Sequence, residues 1–114
     1  MREYIIKGRK GKKTWGKLYY SDKTGKFRVV FREDIDIAKE NPPALVRCYI
    51  EAGSWELKND FAMMWVTDRI IPKDRQNIDS ILRENGLTFY REIDMLELCS
   101  GRCTHDDMYL ERIK

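Results

Sequence analysis

An α+β fold follows from a change of hydrophobic period along the chain: strand-like segments fill the first third, and a period of about 3.6 takes over from Asn59. Strong turn signals separate the early segments, and glycines and a proline punctuate the later ones. The expected architecture is a small antiparallel sheet of three to four strands in the N-terminal half, followed by three to four short helices. The 114 residues suffice for one core, so a single domain over 1–114 is expected, with 1–52 mainly strands and 59–114 mainly helices.

Glu3 to Lys7 brings Tyr4, Ile5 and Ile6 together, and the glycines and basic residues from Gly8 to Lys13 give a polar turn. Thr14 to Tyr20 is rich in aromatic and β-branched types, and Ser21-Asp22-Lys23-Thr24-Gly25 is a turn. Lys26 to Arg32 alternates, with Phe27, Val29 and Phe31 on one face. Asp34 can cap a short helical turn through Ile35, Ile37 and Ala38, which must stop before Asn41-Pro42-Pro43 because a residue before proline avoids the helical region. Leu45 to Glu51 is ambiguous; Val46, Cys48 and Ile50 alternate, and a fourth strand is favoured over two helical turns.

Asn59 or Asp60 can cap a helix that puts Phe61, Met64, Trp65 and Asp68 along one side, closed by Pro72. A second helix is expected over about Lys73 to Asn85, with Ile78, Ile81 and Leu82 on one stripe and Gly86 as a left-handed cap. A third, about Glu92 to Cys99, offers Ile93, Leu96 and Cys99. Thr104-His105-Asp106-Asp107 has the outline of a capping box for a helix carrying Met108, Leu110 and Ile113.

Composition narrows the function classes. The hydrophobic fraction of 42% is ordinary and the charged fraction of 36% is high, implying a heavily solvated exterior. The longest apolar run, Phe61 to Val66, is far short of a membrane span, and MREYIIKGRK has no apolar core of a secretory signal. A cytoplasmic protein without a membrane partner is therefore expected. Residues 1–32 hold eleven Lys or Arg against Glu3 and Asp22, a balance of +9, so the net +3 conceals a remainder of −6.

Cys48, Cys99 and Cys103 suit a reducing compartment better than a disulfide framework. Cys99, Cys103 and His105 form C-x3-C-x-H, a spacing unlike the usual paired zinc knuckles; no metal or other cofactor is expected. A nucleophile needs a base held by a third group, and the single histidine, His105, has no such setting. Neither phosphate-binding glycine loop is present. The chain therefore does not read as an enzyme. Arg9, Lys10, Lys12, Lys13 and Lys17, among Tyr4, Trp15, Tyr19 and Tyr20, are a candidate contact for nucleic acid or an acidic protein.

From Phe61 to Cys103 an apolar segment ends at Asp68-Arg69-Ile70-Ile71-Pro72, a helix with Arg75 near its start ends at Gly86-Leu87, and another ends at Gly101-Arg102-Cys103. This series resembles the N-terminal subdomain of HipA-type serine/threonine kinases. In that family small strands precede an apolar helix ending in an Asn-Leu-Leu-Pro-like segment. A helix with an early arginine, a Gly-Leu, an Asp with an apolar pair and a Gly-x-Cys then follow. The matching positions are Phe61, Ile70, Ile71, Pro72, Arg75, Gly86, Leu87, Asp94, Leu96, Gly101 and Cys103. Arg69 departs from the family's asparagine, Lys73-Asp74 from an acidic-Gly pair, and Thr104-His105 from a Gly-Ala step. The resemblance implies the subdomain without its kinase, as in split toxin–antitoxin systems where a small HipS-like antitoxin docks on a HipA-like kinase and neutralises it. Partner contact is then expected at Asp68, Arg69, Pro72 and Arg75.

Overall fold

The computed structural model describes residues 1–8, 13–103 and 106–113. The elements, in chain order, are β1 (Arg2–Gly8), β2 (Thr14–Tyr20), β3 (Phe27–Phe31), α1 (Ile37–Glu40), α2 (Ala44–Glu51), β4 (Glu56–Lys58), α3 (Asp60–Thr67), α4 (Ile78–Glu84), α5 (Glu92–Cys99) and β5 (Met108–Arg112). The class is α+β, and the strands form one antiparallel sheet in the order β4-β3-β2-β1-β5.

Alternation decides which face of the sheet is covered. Tyr4 and Ile6 of β1, Leu18 and Tyr20 of β2, and Phe27, Val29 and Phe31 of β3 point to the same side and are buried. Val46 and Ile50 from α2, Ala62, Trp65 and Val66 from α3, and Ile93 and Leu96 from α5 complete that core. The opposite face mixes the charged Lys7, Lys17 and Arg28 with the half-buried Ile5, Tyr19 and Val30, and the helical core residues named above pack on the first face.

Three expectations about individual elements are corrected. Residues 44–51 are helix α2, not the fourth strand. Val46 and Ile50, four apart, are buried while Cys48 between them is exposed, the pattern of one helical stripe. Pro43 stands at the start of α2 with φ of −52°, where its missing N–H leaves no helical bond unmade. The fourth strand is instead β4, whose Leu57 aligns with Val29.

The second correction lies at the end of the chain. Met108 to Arg112 is strand β5, not a helix: it pairs with β1, Leu110 opposite Ile6 and Arg112 opposite Tyr4. Met108 and Leu110 are buried and Tyr109 between them is not, so spacing that fits a helical stripe serves as alternation once β1 offers an open edge. The N-terminal half therefore does not contain the whole sheet. Thr104 and His105, the first half of the expected capping box, lie outside the described residues.

Third, helix starts differ. Asp36, not Asp34, caps α1, accepting from the Ala38 and Lys39 N–H groups at 3.1 and 3.2 Å, while Asp34 pairs with Arg32. Asn59 precedes α3 with φ of 54° and makes no side-chain cap, and α4 begins at Ile78 rather than near Lys73. The expected stop at Gly86 does form. Gly86 has φ of 69° and the Leu87 N–H donates to Leu82 O at 2.8 Å, closing a Schellman turn.

Candidate functional site

The corner that follows α3 is organised by one inward-facing side chain. Asp68 is the C-terminal cap of α3, and Arg69 turns back into the protein, only 4% exposed. Its guanidinium carbon lies 4.2 Å from the centre of the Trp65 ring. Nη1 donates to Gly101 O at 3.0 Å and to Asp106 Oδ1 at 3.2 Å, and Nη2 donates to Asp106 Oδ2. The side chain thus joins the end of α3, the turn after α5 and the residue that leads into β5. Cys99 Sγ closes the same junction by donating to Arg69 O at 3.3 Å.

Arg69 was expected at a partner contact, and its burial corrects that expectation. A guanidinium taken out of water requires a bidentate carboxylate and further acceptors, which Asp106 and Gly101 provide. Asp106 also accepts from the Met108 N–H at 2.9 Å, fixing the first residue of β5. The aspartate that looked like a helix cap is a brace for a strand. Gly101 is placed here for a steric reason: its φ is 67°, and a Cβ would come within 2.6 Å of Leu110 Cγ.

The other members of the expected contact remain outside. Asp68, Pro72 and Arg75 are exposed. The Arg75 N–H donates to Pro72 O at 3.2 Å, shaping the turn by its backbone and leaving the side chain on the surface.

Beside this corner lies an exposed apolar surface. Phe61 and Met64 share a side of α3 with Trp65 and Asp68, as the helical period requires, yet Phe61 is 65% exposed and Met64 60%. The residues of α3 that enter the core are Ala62, Trp65 and Val66. Helix α2 repeats the arrangement: Val46 and Ile50 are buried, while Leu45 and Cys48 face outward. Between the helices is a groove of about 410 Å³ lined by Ala44, Leu45, Cys48, Trp65, Asp68, Arg69, Cys103 and Asp106. Its volume falls within the range of ligand-binding clefts. Leu45 and Cys48 were missed because 45–51 read as a strand; a helical reading of the same residues, spaced three apart, would have found them.

On the strands, Lys17 is exposed and Lys13 half-buried, while Arg9, Lys10 and Lys12 lie outside the described residues. Several cations of the sheet are neutralised across it. Lys7 pairs with Glu111 at 2.7 Å, and Arg28 and Lys58 share Glu56, the latter at 3.5 Å. These pairs lower the charge left for a phosphate backbone.

A further cluster, unsignalled in the sequence, fastens α5 to the sheet edge: Arg2, Tyr4 and Arg112 all donate to Glu97 Oε1. Burial, and then the bond to Glu97, push the Tyr4 phenol above its ordinary range. Among the described residues no group of three or more His, Cys, Asp or Glu could hold a metal ion, and no helix is long and apolar enough to cross a membrane.

Comparison with protein families, curated proteins and solved structures finds no match. Of the features above, the groove and the exposed stripe of α3 are where apolar side chains meet solvent beside an ordered corner.

Proposed function

We propose that this protein is a non-enzymatic, cytoplasmic docking module that binds a protein partner through the α3 stripe and the exposed residues Asp68, Pro72 and Arg75. The observation that carries the reading is the exposure of Phe61 and Met64 on a helix whose other side is anchored in the core. Exposed apolar side chains grouped on one surface mark interaction sites, and aromatic and Met side chains are common at their centres.

The corner suits a contact surface because it is held rigid from below. Arg69 fixes the end of α3 against Gly101 and Asp106, so the side chains above it are presented without much ordering left to occur on binding. The resemblance of Phe61 to Cys103 to the HipA N-terminal subdomain supports the choice of partner: a HipA-like kinase, neutralised by the docked module as an antitoxin.

The test is co-elution on size exclusion with HipA-like kinases encoded beside the gene, using wild type, Met64→Asp and Arg75→Glu. A complex that the substitutions weaken supports the reading. No complex with any such kinase removes the kinase partner, and a complex indifferent to both substitutions removes the surface.

A further inference from the structure

The exposed apolar stripe of α3 has an acidic residue at each end, and the groove shared with α2 opens beside its C-terminal end, where Trp65 and Asp68 line it. Asp60 opens α3 and Asp68 closes it, and with Phe61 and Met64 they fall on one side of the helix. Both aspartates are exposed, and neither has an ion-pair partner among the described residues. The two positions are unequal. Asp60 is in the first turn, where the helix dipole favours a carboxylate, whereas Asp68 sits at the negative end, where the dipole opposes it. Asp106 deeper in the groove is already held by Arg69. The wall contributed by α2, Ala44, Leu45 and Cys48, is uncharged.

From this arrangement, and resting on the docking reading above, we infer that the α3 stripe, with the groove beside its C-terminal end, takes an amphipathic helix whose short apolar run is bracketed by Lys or Arg about two turns apart. Asp60 and Asp68 are eight positions apart, which on a helix is about 12 Å, so a partner helix lying along α3 can set one cation against each. Its apolar side chains, at i, i+3 or i+4 and i+7, pack on the exposed Phe61 and Met64 and enter the groove beside Leu45 and Trp65. A cation over Asp68 also relieves the unfavourable carboxylate at the end of α3. An acidic helix would add a second negative charge at each end.

The probe is a displayed library of 16-residue helical peptides, randomised at both apolar and flanking positions, followed by fluorescence anisotropy on the enriched sequences. The expected consensus is an apolar run bracketed by Lys or Arg. Met64→Asp should weaken the enriched peptides at least about tenfold, as loss of a central anchor does, and Asp68→Lys should shift preference toward an acidic residue at that end. Both positions are exposed, and circular dichroism checks that each variant folds. Three results overturn the inference: no consensus, an acidic or uncharged one, or binding indifferent to both substitutions. A concentration-dependent dimer of the protein alone that Met64→Asp abolishes also overturns it, because a second copy then occupies the groove. Peptide binding without kinase co-elution leaves the groove assignment standing and removes only the kinase. A kinase complex insensitive to Met64→Asp does the reverse.

Discussion

Removing the Asp106 carboxylate tests the architecture most directly. In Asp106→Ala the Arg69 guanidinium, 4% exposed and with a Nε that has no partner among the described residues, keeps its charge and loses the only carboxylate it bonds among those residues. Gly101 O and the Trp65 face remain, but neither carries a compensating charge. Breaking one side of a buried pair costs about 3–5 kcal/mol, and the Met108 N–H loses its acceptor as well. A domain of this length has a total stability of about 6–17 kcal/mol, so the change removes a large part of it. The midpoint should fall by about 12–20 °C in a thermal melt, or by about 2 M in urea with an ordinary slope. Asp68→Ala, at an exposed aspartate with no ion pair among the described residues, is the control, expected within about 0.5 kcal/mol of wild type. The double variant Arg69→Met with Asp106→Leu should be more stable than Asp106→Ala alone, since it leaves no charge buried. A loss under about 1 kcal/mol for Asp106→Ala, or a double variant no better than the single, would refute the view that this pair braces β5.

Other outcomes follow from single contacts. Gly101→Ala should destabilise by about 1–3 kcal/mol in denaturant melts, because a Cβ at φ of 67° also presses on Leu110. Phe61→Ser should leave stability within about 0.5 kcal/mol while weakening partner binding, the opposite of Val46→Ala, which opens a cavity in the core. At alkaline pH the sign is set by Tyr4: its folded-state pKa lies above the unfolded value of about 10, so the unfolded chain loses the proton first. Its contribution is present below that pH and declines as pH rises toward the folded value. Urea melts from pH 9 to 11 should show a steeper loss for wild type than for Tyr4→Phe. Thiol labelling of the native protein should modify Cys48 ahead of Cys99 and Cys103, which are only partly exposed.

The early strands, the turn at Ser21 to Gly25, the Gly86 stop and α5 were legible because their signals are local. Alternation of Phe27, Val29 and Phe31 sets one face whatever lies across from it, and a positive-φ glycine ends a helix by its own geometry. The candidate site was legible only in outline. The stripe of Phe61, Met64, Trp65 and Asp68 was correct as a helical face, but whether that face meets core or solvent depends on what packs against it.

The sequence by itself determined the α+β class, three antiparallel strands and the helix-bearing second half, since period and turn chemistry act between neighbours in the chain. Tertiary structure decided that 44–51 is a helix and 108–112 a strand, for both segments satisfy either period and are resolved by which surface is free to receive them. It also decided the fate of the Asp68 to Arg75 corner. A buried arginine is stable only where a carboxylate reaches it, and Asp106, 37 residues away, makes Arg69 a brace and leaves the proposed docking to the residues around it.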